Sequence, residues 1–91
     1  FKSLFSASPV KRTGYIRFLR NCLIAAGNAG DDKLIPVVKP YLLHYDPRLR
    51  ASAVWALSCY LDGDALAALH PAEEWDIDVQ AEWKTALNLA D

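Results

Sequence analysis

Residues 46–61 read DPRLRASAVWALSCYL, and this stretch decides the fold. Asp46 followed by Pro47 is typical of a helix start, because an aspartate caps free N–H groups and a proline fits the first turn. Apolar side chains from Leu49 to Leu61 leave only a narrow polar strip on the predicted helix. Since a helix that is apolar on most sides is buried between neighbours, we expect residues 47–61 to form a central helix.

The same pattern occurs once before this helix and once after it, each time at an offset of 30 residues. Each copy has an aliphatic residue with a polar neighbour, an apolar residue four positions on, and an alanine three positions further. The copies are Leu19-Arg20, Leu23 and Ala26; Leu49-Arg50, Ala53 and Ala56; and Val79-Gln80, Trp83 and Ala86. Steps of four and three mark one face of an α-helix, so the pattern predicts helices that start near residues 14, 47 and 77.

The segments between the copies predict shorter partner helices. One begins at Asp31-Asp32 and is kinked or split by Pro40, and the other covers residues 65–69. Gly27-Asn28-Ala29-Gly30 predicts the turn of the first unit. No stretch alternates with period two, so we predict an all-α chain: a short right-handed α-α solenoid of HEAT-like repeats, about two and a half helix pairs.

Length and composition indicate one domain without a membrane span. The chain has 91 residues, of which 53% are apolar and 23% are charged. It lacks methionine and begins with phenylalanine, from which we expect a piece of a longer protein, and the two cysteines favour a reducing, cytoplasmic location. The predicted division is a basic linker at 1–13 and a repeat domain at 14–91, with units 14–45 and 46–75 and a cap at 76–91.

The net charge is only −1, but the charges are distributed unevenly along the chain. Residues 1–20 hold five basic side chains and no acid, whereas residues 62–91 hold eight acids and one lysine. Local patches of this kind determine which partners are attracted, so the two ends predict different partners.

The sequence offers no assembled catalytic or metal site. Ser8 and Lys11 fit a Ser-x-x-Lys pattern, but the companion motifs of serine acyl-enzymes are missing. Cys22 and Cys59 are 37 residues apart, which is not a metal-ligand spacing, and we expect buried free thiols. His44 and His70 are expected at helix C-termini, and the acids of residues 73–78 at a helix N-terminus.

The candidate site is instead a basic edge near the N-terminus. On a helix, Arg17, Asn21 and Asn28 share about 40° of arc, away from the apolar face, and such an edge can contact phosphates. The alternative interpretation is that this edge is simply a solvated face of the helix. For Arg20 and Arg50 the alternative is an ion pair between repeats, with Asp46 or Asp76 as the partner. The predicted nucleic-acid-binding residues are Lys11, Arg12, Arg17, Arg20 and Asn21.

Two motifs carry a resemblance to a known family. SPVKRTG at 8–14, followed by FLRN at 18–21 and AAGN at 25–28, resembles the C-terminal region of epoxyqueuosine reductase. DPRLR at 46–50 and AVWAL at 53–57 look like the short HEAT-like repeat that follows in that family. The resemblance covers roughly residues 5–61 strongly and 76–90 weakly.

The resemblance implies a parent oxidoreductase that completes queuosine in the anticodon loop of certain tRNAs, using cobalamin and two [4Fe–4S] clusters. Those cofactors bind upstream in the family, and Cys22 and Cys59 do not match its cluster ligands. This chain would hold the tRNA beside the upstream catalytic domain, with Lys11 and Arg12 matching the family's basic pair. A protein-interaction or intramolecular docking solenoid is the alternative, and a HEAT-like DNA-repair or chromophore-lyase module shares the fold.

Overall fold

A computed structural model describes the backbone of residues 9–87 and the side chains of residues 14–87. Every regular element in that part of the chain is helical, which confirms the all-α prediction. The α-helices are α1 (Pro9–Ala29), α2 (Ile35–Val38), α3 (Pro47–Ser58), α4 (Gly63–Ala67) and α5 (Ile77–Ala86). Two 3-10 helices, Asp32–Leu34 and Lys39–Leu43, flank α2.

The predicted starts of α3 and α5 are confirmed, and aspartates cap both helices. The Asp46 carboxylate accepts the Arg48 backbone N–H at 2.9 Å. Asp76 Oδ1 accepts the backbone N–H groups of Asp78 and Val79 at 2.9 and 3.1 Å. These bonds satisfy donors that the first helical turn leaves without partners.

Helix α1 begins at Pro9, five residues before the predicted start at 14. A proline in the first turn loses no hydrogen bond there, and a glycine inside a helix costs only about 1 kcal/mol, so Gly14 does not end the helix. Residues 9–13 of the predicted linker are therefore helical. The division of the chain into a linker and repeat units stays a prediction.

The segment after α1 also departs from the predicted turn. Gly27, Asn28 and Ala29 belong to α1, and the only positive φ among the described glycines, 69°, occurs at Gly30. Pro40 lies in the 3-10 helix that follows α2, which confirms the predicted split. Helix α4 starts at Gly63, two residues early, because Asp62 caps it.

Helix α3 lies between α1 and α5 and forms the centre of the core, as predicted. It packs extensively on both, whereas α1 and α5 hardly contact each other. The domain measures 42 × 30 × 17 Å, and the short axis fits two helix layers. Its buried apolar residues are Ile16, Leu23, Val38, Leu42, Leu49, Ala53, Val54, Ala56, Leu57, Leu66, Val79 and Trp83.

Gly27 lets α1 approach α3 closely. A Cβ added at Gly27 would lie 2.5 Å from Cζ3 of Trp55 and 3.1 Å from the Cα of Ala56. Farther along the chain, the Tyr60 hydroxyl donates to the Ala26 carbonyl and accepts the Asp31 N–H at 3.2 Å. The C-terminal end of α1 is therefore fixed to α3 by contact and by hydrogen bonds.

Candidate nucleic-acid interface

Helix α1 presents a polar edge without a carboxylate. Arg17, Arg20 and Asn21 are all exposed, as is Asn28, the second-to-last residue of the helix. The sequence of α1 contains no Asp or Glu at any position. Lys11 and Arg12 belong to the helical backbone, but their side chains lie outside the described part of the structure.

Arg20 and Arg50 occupy equivalent repeat positions but different environments. Arg50 Nε and Nη2 donate to the two carboxylate oxygens of Glu74 at 2.9 and 3.1 Å. The predicted partners Asp46 and Asp76 are therefore wrong for Arg50. Arg20 makes no ion pair with the residues that the structure describes, so the repeated ion pair is also wrong for Arg20.

Asp46 is not available to Arg50 because it is bonded to Arg48. Arg48 donates from Nε to Asp46 Oδ1 at 3.1 Å and from Nη2 to Oδ2 at 2.7 Å. The hydrogen bonds from Arg48 hold the pKa of the Asp46 carboxyl below its ordinary value of 3.8. The bidentate pair thus favours the ionised form of the carboxylate that caps α3.

An open groove of about 580 Å³ separates the basic edge from α5. Arg20 stands on its α1 side, while Asp78 and Glu82 stand on its α5 side. Partial burial raises the pKa of Glu82 above its ordinary value. The remaining lining residues are Ile24, Pro47, Arg48, Ala51, Ser52, Trp55 and Asp76.

Carboxylates along the groove oppose phosphate binding there, since two like charges at short range repel. Arg17 and Asn21 do not line the groove. Contacts with a nucleic acid are therefore best accommodated by the outer edge of α1, with Arg20 at the border between the two surfaces.

The two histidines have local structural partners. His44 follows the 3-10 helix Lys39–Leu43, as predicted, and its Nδ1 accepts the Asp46 N–H at 3.0 Å. Burial lowers the pKa of His44 below 6.5, Asp46 opposes that shift, and Arg50 adds to it. The His70 ring lies against Trp83 with 4.6 Å between ring centroids.

Both cysteines are exposed, so the prediction of buried thiols is wrong. Cys22 lies on the exposed side of α1, and Cys59 lies at the C-cap of α3, where its thiol donates to the Trp55 carbonyl at 3.5 Å. An apolar run in the sequence does not bury every member, because an outer helix such as α1 has an exposed side and the residues at the end of a helix leave the core.

Among residues 9–87, no three side chains of His, Cys, Asp or Glu are grouped so that they could hold a metal ion. In the same part of the chain, the helices are too short or too polar to cross a membrane. Comparison of the sequence with protein-family models, curated proteins and solved structures finds no match.

Proposed function

We propose that this chain is the tRNA-positioning, HEAT-like C-terminal domain of a cytoplasmic epoxyqueuosine reductase. The observation that carries the proposal is the edge of α1, where Arg17, Arg20 and Asn21 are exposed on a helix without carboxylates. Neither arginine is ion-paired within the described residues. Cations that are not neutralised by the protein itself are available to phosphate groups.

The proposal assigns the chemistry to the upstream catalytic domain of the same chain. The family motifs imply cobalamin and two [4Fe–4S] clusters in the parent oxidoreductase. The described residues do not fit a cluster, because Cys22 lies on α1 and Cys59 follows α3, and neither thiol belongs to a group of three or more described His, Cys, Asp or Glu side chains that could hold a metal ion. The contribution of this chain is therefore to bind and orient RNA.

A protein-interaction or intramolecular docking solenoid is the second candidate. The groove favours it, because Asp78 and Glu82 face Arg20 across a partly apolar floor that includes Trp55. A segment of polypeptide can satisfy both signs of charge, whereas a phosphate backbone can satisfy only one. This function predicts binding that does not depend on the charge of Lys11 and Arg12 but is sensitive to exposed apolar residues.

The first experiment measures binding of a tRNA with a queuosine-type anticodon by fluorescence anisotropy, with an unrelated duplex DNA for comparison. With three to five phosphate contacts at a slope of about −0.9 per contact, affinity falls about 40- to 500-fold between roughly 50 and 200 mM salt. We expect K11E/R12E and R17E/R20E each to weaken binding and to reduce this slope.

K33E/K39E is the matched control. It changes the net charge by the same amount, but Lys33 and Lys39 are exposed outside α1, in the segment that follows it. If the control weakens tRNA binding as much as R17E/R20E, only total charge matters and α1 is not the interface. Wild-type affinity in both α1 variants would favour the docking solenoid instead.

A further inference from the structure

Four large apolar side chains are strongly exposed on two segments that meet beside α3. Leu43 and Tyr45 precede α3 and are 80% and 63% exposed. Trp75 and Ile77 lie at the start of α5 and are 83% and 78% exposed. We call these four residues the junction surface. Contiguous exposed apolar patches mark interaction sites, whereas single exposed apolar residues are ordinary, so the link between the two segments is what matters here.

Arg50 holds the two segments of the junction surface together. Its Nη1 donates to the carbonyl oxygens of His44 and Tyr45 at 2.8 and 3.1 Å, and its Nε and Nη2 donate to Glu74. The Glu74 carboxylate also accepts the Asp76 N–H at 3.1 Å. The Arg50 and Glu74 side chains are 20% and 6% exposed, so a largely buried ion pair fixes this backbone.

A fixed backbone favours association, because less conformational entropy is lost when a partner binds. The Tyr45 ring is stacked on His44, with 4.4 Å between centroids, and this contact further restricts one member of the surface. Trp and Tyr are also the side chains that most often dominate the binding energy of protein interfaces.

The charge around the junction surface is negative. Residues 43–50 and 73–78 together contain two arginines and five carboxylates. The pairs Arg48–Asp46 and Arg50–Glu74 cancel internally. Glu73, Asp76 and Asp78 remain, which leaves a charge of −3 beside the exposed apolar groups.

We propose that the junction surface docks a partner protein whose apolar contact site is surrounded by lysine and arginine. Such a partner complements both the apolar side chains and the residual negative charge. A nucleic acid is disfavoured because it would bring phosphates towards three carboxylates. A symmetric dimer of this chain is also disfavoured, because two-fold symmetry would place two negative surfaces against each other. This inference does not depend on RNA binding by α1.

The probe is a fluorescein-labelled helical peptide of leucine and lysine, with the lysines flanking one leucine face. We expect it to bind the wild-type chain and to bind W75S/I77S at least about tenfold more weakly, since an aromatic anchor is lost. E73K/D78K should weaken binding at low salt and have less effect at high salt, where exposed charges are screened. All four positions are exposed, so the variants should keep the wild-type helical circular dichroism.

V37S is the matched control, because Val37 is an exposed apolar residue on α2, 58% exposed and outside the junction surface. It should bind the peptide like the wild type. Equal binding of a leucine–glutamate peptide of the same spacing would overturn the charge argument. Unchanged binding by W75S/I77S, or no binding of the leucine–lysine peptide at about 1 mM, would overturn the proposal altogether.

Two further outcomes would assign the surface to another partner and would also overturn the proposal. In the first outcome, the wild-type chain and the R17E/R20E variant bind oligouridylate, but the W75S/I77S variant does not. The other is self-association in sedimentation equilibrium that W75S/I77S abolishes.

Discussion

Replacing Gly27 by alanine tests how closely α1 must approach α3. The new Cβ would lie 2.5 Å from Cζ3 of Trp55, closer than real Cβ atoms come to a neighbour. It would also lie 3.1 Å from the Cα of Ala56, which is backbone and cannot rotate away. The substitution therefore forces the indole to turn or the two helices to separate.

The expected effect is the difference of two opposing contributions. Overpacking of a well-packed contact costs about 1–3 kcal/mol, and contacts of 2.5 Å to Trp55 and 3.1 Å to the backbone of Ala56 place this substitution in the upper part of that range, at about 2–3 kcal/mol. Alanine in place of glycine inside a helix stabilises the helix by up to about 1 kcal/mol through its higher helix propensity. We expect G27A to lower the free energy of unfolding by about 1–2 kcal/mol, which corresponds to a Tm lower by about 4–16 °C in a domain of this size.

Gly14 provides a matched control in the same helix, because, apart from its chain neighbours and the backbone of its own helix, no described atom lies within 4 Å of a Cβ added there. G14A should therefore gain helix propensity without a clash and raise the Tm. Thermal unfolding followed by circular dichroism measures both variants, and W55L should reduce the cost of G27A. If G27A is as stable as the wild type or stabilises like G14A, the close approach of α1 to α3 is refuted.

The remaining predictions concern the residues around the start of α3. R50A should destabilise the chain by about 2–4 kcal/mol in urea unfolding, because it leaves the largely buried Glu74 carboxylate without its cation. R50A/E74A should cost less than the sum of the single variants, and strict additivity would contradict the coupling. Folding lowers the pKa of His44 below 6.5, so the folded chain binds fewer protons there than the unfolded chain. The free energy of unfolding should therefore decrease as the pH falls below about 6.5. H44Q should make this free energy less dependent on pH in that range, and an H44Q variant with the wild-type pH dependence would contradict the assignment to His44.

The helix starts that local chemistry determines could be predicted from the sequence. Asp46 and Asp76 cap α3 and α5 at the expected positions because each carboxylate bonds to an N–H two residues later. The predicted start of α1 is wrong because the 30-residue offset places it near residue 14, whereas the helix extends back through Gly14 to Pro9. A glycine is a weak signal inside a long helix, where neighbouring hydrogen bonds and packing outweigh its cost.

The candidate site could also be predicted only in part from the sequence. Helical periodicity was sufficient to predict that Arg17 and Asn21 would be exposed on one edge of α1. It could not identify Glu74 as the partner of Arg50, because 24 residues separate them and three other acids, Glu73, Asp76 and Asp78, lie within four residues of Glu74. Only the packing of α5 on α3 brings the segment that precedes α5 to Arg50.

The central position of α3 explains how the two charged ends of the chain can serve different partners. Because α1 and α5 pack on α3 and hardly on each other, the basic edge of α1 is held apart from the carboxylates of α5. Asp78 and Glu82 nevertheless reach the groove that Arg20 borders, so any RNA on α1 must stop at that groove. In the two proposals made above, the negative charge at the start of α5 would confine a phosphate ligand to α1 and would leave the junction surface to a basic protein.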